Sequence, residues 1–221
     1  MSIGVAVRRR PWLPAAIVGG LLLGVLDLAW IKLLPSPWGD LGNSPAVWAV
    51  AAFLLGRWTR AGAPRAAVAG AVMLLLATEA YYFAAHLWQH DDLSRLWAPS
   101  TMVWLAFGLL AGSLFGAAGA VSRRPPGTGG RRGVVADLAL SLPGAVLLAE
   151  AGRNLARVPT IDGSPGFRTE LVRFAVVLTA LAVAVTVGYA RAATSRRWLV
   201  AGTVVLAGLG FAAMAAAGLG A

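Results

Sequence analysis

The sequence predicts an all-α fold, a polytopic bundle of transmembrane helices. Hydrophobic residues make up 58% of the 221-residue chain and charged residues only 13%, whereas a soluble domain carries about 25% charged residues. The apolar residues also fall in runs of about 20, the length of helix that crosses a bilayer core. The polar side chains are too few to cover a soluble globule, so lipid must surround much of the chain. The absence of cysteine excludes disulfides and thiolate metal sites.

Seven apolar segments are predicted to span the membrane within one domain, residues 1–221. The second is short, with an uninterrupted apolar core only over 46–56, so six spans are the alternative. Its start is well marked, because Asn43-Ser44-Pro45 places a capping side chain before a proline at the first helical position. The predicted spans are 12–34, 45–61, 65–86, 100–121, 133–153, 171–191 and 198–219.

The positions of the basic residues predict the orientation. Cytoplasmic loops carry an excess of Lys and Arg, and with the N-terminus inside, thirteen of the 19 basic residues lie on the cytoplasmic side. The predicted topology is therefore N-terminus in and C-terminus out, and it requires the second span to cross. The inner set is Arg8, Arg9, Arg10, Arg57, Arg60, Arg65, Arg123, Arg124, Arg131, Arg132, Arg191, Arg196 and Arg197; the outer set is Lys32, Arg95, Arg153, Arg157, Arg168 and Arg173.

The stretch SRRPPGTGGRR, residues 122–132, is then a cytoplasmic loop between the fourth and fifth spans. We expect its Arg123, Arg124, Arg131 and Arg132 to contact anionic lipid headgroups, at about 1 kcal/mol each. The net charge of +10 does not indicate a nucleic-acid partner, because no aromatic residues alternate with these arginines to stack on bases.

Ionisable residues inside the spans are the candidate site. A charged side chain at the bilayer centre costs about 2.5–3.5 kcal/mol on insertion scales, so each needs a partner or a function. Asp27, Glu79 and Glu150 all lie in the outer half of odd-numbered spans. Helical spacing places Tyr82 and His86 on the same face as Glu79, at i+3 and i+7.

These residues predict an outward-facing polar pocket. Arg153, at i+3 from Glu150, and Arg173, near the start of the sixth span, would pair with the carboxylates or hold an anionic group. The alternative is a set of buried ion pairs and interfacial anchors. That alternative is preferred for Glu150 and its arginines, which lie near water, and the two interpretations are balanced for Asp27 and Glu79.

No catalytic residue, cofactor or metal site is predicted. His86 and His90 have the i, i+4 spacing of a metal-binding pair, but no glutamate lies between them and the helix is predicted to end nearby, which favours a surface loop. Small residues on the fourth span, Gly108, Gly112 and Gly116, predict close packing between helices of the same chain.

The run LGNSPAVWAVAAFLLGRWTR, followed by AAVAGAVMLLLATEAYYFAAHL, is similar to a family of small actinobacterial multi-span membrane proteins of unknown function. The matching features lie within roughly residues 15–90 and are Asn43-Ser44, Trp48, Phe53, Gly56, Gly70 and Tyr81-Tyr82. The resemblance implies a multi-pass protein of the bacterial inner membrane and supplies no chemistry.

Three functional hypotheses follow. The first, which we favour, is transport or binding of a small solute or ion through the outer-half pocket, with the carboxylates holding a cation, a proton or a basic solute. The second is an intramembrane enzyme of the isoprenoid or lipid cyclase type that uses a buried carboxylic acid. The third is a non-catalytic accessory subunit. The sequence is compatible with a homo-oligomer or with a partner subunit. Between an enzyme and a protein without catalytic activity, it favours the latter.

Overall fold

The computed structural model describes residues 11–123, 130–159 and 165–216, and within these ranges it is helical without strands. The predicted all-α bundle is confirmed, and six of the helices, all but α2, are long and apolar enough to cross a membrane. Short 3-10 helices cover Gly39–Leu41 and Leu93–Trp97. The α-helices are α1 (Trp12–Leu33), α2 (Pro45–Trp58), α3 (Ala63–Gln89), α4 (Pro99–Val121), α5 (Gly130–Arg157), α6 (Pro165–Tyr189) and α7 (Arg196–Ala216).

Helix α2 is the short second segment expected from the sequence. Ser44 is its N-cap, with an extended backbone and a hydroxyl that accepts a hydrogen bond from the Val47 amide at 3.2 Å. The helix ends at Trp58, and Arg60 then adopts a positive φ of 53°. Its 14 residues span about 21 Å at 1.5 Å per residue, less than the roughly 30 Å of a bilayer core.

Helix α5 lies at the centre of the bundle. In its most apolar stretch 67% is buried inside the bundle, whereas in the corresponding stretch of α7 only 17% is. Helix α3 packs between α1 and α4, while α5 packs between α6 and α7, which barely touch each other. Helix α2 contacts α3, α4 and α5 and so joins the two groups of helices.

Glycines allow the close approach of α4 to its neighbours. A Cβ on Gly112 would lie 2.4 Å from the carbonyl oxygen of Gly70, and one on Gly116 would lie 2.3 Å from that of Ala66. Gly108 is less tightly packed, since its nearest neighbour, Leu74, would be 3.5 Å away. The predicted packing role is confirmed most clearly at Gly112 and Gly116, where any side chain would push the helices apart.

Contacts between helix ends define two ends of the bundle. At one, which we call the Glu150 end, the start of α2 bonds to the last turns of α5 through Ser44 and Glu150. At the other, the Arg57 end, the last turn of α2 bonds to the residue after α4 through Arg57 and Ser122. Helix α2 therefore runs from one end of the bundle to the other, despite its length.

The Arg57 end also holds the junction of α5 and α7. The carboxylate of Asp137, fully buried near the start of α5, accepts hydrogen bonds from the amides of Thr194 and Ser195 at 2.9 and 3.1 Å. These amides precede the first turn of α7, where a carboxylate is favoured by the helix dipole. Both buried acids of α5, Asp137 and Glu150, thus hold the start of another helix.

Candidate functional site

A cavity of about 340 Å³ opens at the Glu150 end, between the start of α2, the second half of α3 and the first half of α4. Leu74 and Ala111 close it towards the middle of the bundle, and Gln89 lies nearer the helix ends. Its volume falls in the range of about 300–1,000 Å³ that is usual for small-molecule sites.

Aromatic rings form much of the cavity wall. Tyr81 and Tyr82 on α3 stack edge to face, with ring centroids 5.4 Å apart. Trp104 and Phe107 on α4 form a second such pair at 6.2 Å. With Trp48 of α2, five aromatic side chains from three helices line the cavity.

The mouth of the cavity carries an opposite-charge pair. The Nε of Arg95 lies 3.6 Å from a carboxylate oxygen of Asp91, and the Arg95 side chain is 62% exposed. A hydrogen bond from α3 holds the loop that carries this pair, because Nδ1 of His86 lies 2.6 Å from the carbonyl oxygen of Asp91. The next residue, Asp92, accepts a hydrogen bond from the Ser94 amide at 2.8 Å, and that bond lowers the pKa of Asp92.

Asp27 of α1 lies directly behind the cavity wall. Its side chain is buried, and Oδ1 accepts a hydrogen bond from the indole Nε1 of Trp48 at 3.0 Å. The same N–H donates more weakly to the carbonyl oxygen of Gly42, at 3.3 Å. These two acceptors fix the orientation of the Trp48 ring that faces the cavity.

Glu150 lies behind the wall at the start of α2. It is buried, and Oε2 accepts hydrogen bonds from the Ser44 hydroxyl at 2.8 Å and the Ala46 amide at 2.9 Å. Pro45 has no amide hydrogen, and the Val47 amide donates to Ser44. The first turn of α2 therefore offers no free donor to the cavity.

The structure brings three of the predicted site residues to this region. Tyr82 lines the cavity, while Asp27 and Glu150 are each one hydrogen bond behind it, through Trp48 and Ser44. The pocket expected from the sequence had the carboxylates in its lining. In the structure, side chains of α2 stand between the carboxylates and the cavity.

The other four predicted residues do not line the cavity. His86 holds the 91–95 loop, and Arg173 is exposed on α6. Arg153 lies close enough to Glu150 for its charge to act on that carboxylate, but its buried Nε has no hydrogen-bond partner. Glu79 is half-buried on α3, and over the described part of the chain its carboxylate has no hydrogen-bond or ion-pair partner.

Sequence reasoning missed several lining residues, although a signal was present. On α3 the cavity is lined at positions 78, 81, 82, 85 and 89, which is the spacing of one helix face. The predicted stripe of Glu79, Tyr82 and His86 meets this face only at Tyr82, since Glu79 and His86 each lie one position, about 100° around the helix, from a lining residue. The Asp91–Arg95 pair has i, i+4 spacing, and Trp104 and Phe107 have i, i+3 spacing, both readable from the sequence.

The histidine pair singled out in the sequence, His86 and His90, lies at the end of α3. Across residues 11–123, 130–159 and 165–216, no group of three or more His, Asp or Glu side chains is placed to hold a metal ion. His90 ends α3 in a left-handed conformation, with φ of 58°.

The comparisons with known proteins identify a family and name no activity. No curated protein and no solved structure matches the chain. A model described as a family of unknown function (DUF6518) matches residues 6–219, well beyond the 15–90 region in which the sequence resemblance was noted. The chain therefore belongs to this family of unknown function, whose model covers all seven helices of the bundle.

Proposed function

We propose that this protein binds a small organic cation from outside the cell, in the cavity between α2, α3 and α4, as a step in its transport. The observation that supports this most is the composition of the cavity: five aromatic rings line it, and buried carboxylates stand behind two of its lining residues. The sequence-based hypothesis of a solute-binding membrane protein is thereby given a location and a chemical class of solute.

Aromatic faces and carboxylates both favour a cation. A cation over the face of Trp or Tyr gains about 0.5–2 kcal/mol, more when water is excluded. Asp27 accepts a hydrogen bond from the ring of Trp48, which places a carboxyl oxygen, with its partial negative charge, behind one wall. Glu150 does the same behind Ser44.

An anionic solute is disfavoured by the same contacts. The start of a helix attracts anions through its free amides, but Ala46 donates to Glu150 and Val47 donates to Ser44. The cationic side chain among the lining residues, Arg95, is paired with Asp91 at the mouth.

The proposed location is the inner membrane of an actinobacterium, with the N-terminus in the cytoplasm and the Glu150 end outside. The excess of arginines on the predicted inner side supports this orientation. Reporter fusions at the two termini should give opposite compartments. The same compartment for both fusions would contradict seven crossings, since an odd number of spans separates the ends.

A binding assay tests the proposed solute class. We expect tetraethylammonium to bind to the purified protein in nanodiscs, measured by calorimetry. A neutral analogue of similar shape, 3,3-diethylpentan-1-ol, should bind at least about tenfold more weakly, the ratio that 1.4 kcal/mol of cation attraction produces. Equal binding of the neutral probe would contradict the cation assignment but leave a solute site. No binding of either probe would contradict the site itself.

Matched aromatic variants place the site. Tyr82→Ala should weaken tetraethylammonium binding by about five- to tenfold, because one wall ring is lost. Trp198→Ala is the control, since Trp198 is an exposed aromatic of α7 away from the cavity. Equal effects of the two substitutions would contradict binding between α2, α3 and α4. Uptake of the labelled cation into proteoliposomes tests transport, and it should be reduced by the Tyr82 substitution and not by the Trp198 substitution.

A homo-oligomer or partner subunit is a second proposal, supported by Glu79. The Glu79 carboxylate is half-buried in a predicted span and has no partner among the described residues. Such a group is expensive in hydrocarbon, and a polar group from a neighbouring chain would stabilise it. Native mass spectrometry of the purified protein and of Glu79→Gln measures this. We expect a complex that dissociates in the variant; a monomer in both samples would contradict the proposal.

A further inference from the structure

The Arg57 end of the bundle holds a guanidinium group in a fixed position. Nη1 of Arg57 donates to the carbonyl oxygen and the hydroxyl of Ser122, at 3.1 and 2.8 Å. The Ser122 hydroxyl in turn donates to the carbonyl oxygen of Gly119. On its other side the guanidinium lies 5.6 Å from the centroid of the Tyr189 ring. Contacts with α4 and α6 thus hold this charge where α2 ends.

Two further arginines converge on the same place. Arg123 follows α4, next to Ser122, and its Nη2 donates to the carbonyl oxygen of Ala61. Arg60 directly precedes Ala61, and its left-handed backbone turns the chain after α2. Burial lowers the pKa of Arg123, and the positive charges of Arg57 and Arg60 lower it further. Three cationic side chains therefore share one region between the ends of α2 and α4.

In the part of the chain that the structure describes, this positive charge is not compensated by an acidic side chain. Within the residues that the structure describes, no carboxylate forms an ion pair with Arg57, Arg60 or Arg123. Asp137, the buried carboxylate described above at this end of the bundle, caps the start of α7. The Nε of Arg123 is buried without a hydrogen-bond partner. Buried donors without an acceptor are costly, so an external acceptor would stabilise this arrangement.

The chemistry of the three side chains selects the kind of acceptor. Guanidinium groups match the geometry of phosphate oxygens and bind them with two parallel N–H···O bonds. These arginines lie at the ends of α2 and α4, on the predicted cytoplasmic side, where lipid phosphates are found. We propose that Arg57, Arg60 and Arg123 form a binding site for an anionic phosphate group, supplied by a phospholipid headgroup or by a soluble phosphate. The site is separate from the cavity at the Glu150 end and does not depend on the proposed solute.

Thermal unfolding in detergent with added ligands tests the site and distinguishes the sources. The probes are dihexanoyl phosphatidylglycerol, inorganic phosphate and, as a lipid without phosphate, dihexanoylglycerol. A stabilisation by phosphatidylglycerol alone supports a lipid headgroup, and an equal one by inorganic phosphate supports a soluble ligand. Stabilisation by neither, or by all three probes alike, would overturn the proposal.

Variants locate the effect. Arg60→Gln should weaken binding of the effective probe about tenfold, as expected for the loss of one charge-assisted contact. This side chain is exposed, so the variant should fold. Arg123→Gln should weaken binding at least as much. The control is Arg196→Gln, an exposed arginine at the start of α7 at the same end of the bundle. If the control weakened binding as much as Arg60→Gln, a general surface charge would replace the site.

Discussion

Replacement of Glu150 by alanine should destabilise the protein more than any single exposed substitution. The change removes the acceptor of two hydrogen bonds, from the Ser44 hydroxyl and the Ala46 amide. A buried donor that loses its acceptor costs about 1–3 kcal/mol, so two of them give about 2–6 kcal/mol. Polar contacts between membrane helices average nearer 0.6 kcal/mol. The higher range should apply here, because the Ala46 amide is left buried without an acceptor.

A second substitution separates charge from hydrogen bonding. Glu150→Gln keeps a side-chain oxygen that can accept both bonds, so its loss should be about half that of Glu150→Ala, by the same energies. The assay is the free energy of unfolding of the purified protein in mixed micelles, followed by circular dichroism as the denaturing detergent is increased. Glu170→Ala is the matched control, since Glu170 is an exposed carboxylate of α6, and it should change stability by less than about 0.5 kcal/mol. A cost of less than about 1 kcal/mol for Glu150→Ala would refute the idea that this carboxylate anchors α2 to α5.

Three further predictions concern other parts of the bundle. Gly116→Ala should lower the free energy of unfolding by about 1–3 kcal/mol through overpacking, because its Cβ would lie 2.3 Å from a carbonyl oxygen of α3. The control, Gly188→Ala, should be neutral because nothing lies within 4 Å of its Cβ. Equal unfolding temperatures of the two variants would count against close packing. Asp137→Ala should lower the free energy of unfolding by about 2–4 kcal/mol, since two backbone amides before α7 lose their acceptor. Unchanged hydrogen exchange at the start of α7 would contradict this prediction. The pKa of Asp92 is lowered by its bond to the Ser94 amide. This bond should therefore persist above the ordinary aspartate pKa of about 3.9 and be lost only as the pH falls through the lower pKa of the folded protein. The assay is a pH titration of the Ser94 amide resonance, and a midpoint above about 3.9 would contradict the prediction.

The helices themselves were readable from the sequence because hydrocarbon imposes strong local rules. A spanning helix needs about 20 apolar residues, and Ser44-Pro45 marks a helix start by its chemistry alone. The second segment was predicted to continue to residue 61, but α2 ends at Trp58. The turn after it depends on the left-handed backbone of Arg60 and on the bond from Arg123 to Ala61. That bond joins residues far apart in sequence.

The candidate site was only partly readable. The sequence marked Asp27, Glu79 and Glu150 as acids that need a partner or a function, and the structure provides partners for two of them, Trp48 for Asp27 and Ser44 for Glu150. Neither partner can be found by helical spacing, because each belongs to a different helix from the acid it contacts. On α3, Tyr82 of the predicted face lines the cavity but Glu79 and His86 do not, and the packing of α1 and α4 against α3 decides which residues do.

By itself, the sequence determined that the protein is a membrane bundle of apolar helices, since composition and run length alone decide between lipid and water as the surrounding solvent. The tertiary structure decided which charges are used internally and which surround a space. Glu150 and Asp137 hold the starts of other helices, whereas five aromatic rings from α2, α3 and α4 enclose a cavity. That division depends on which helices meet, and contact between helices is set by long-range packing that no local pattern encodes.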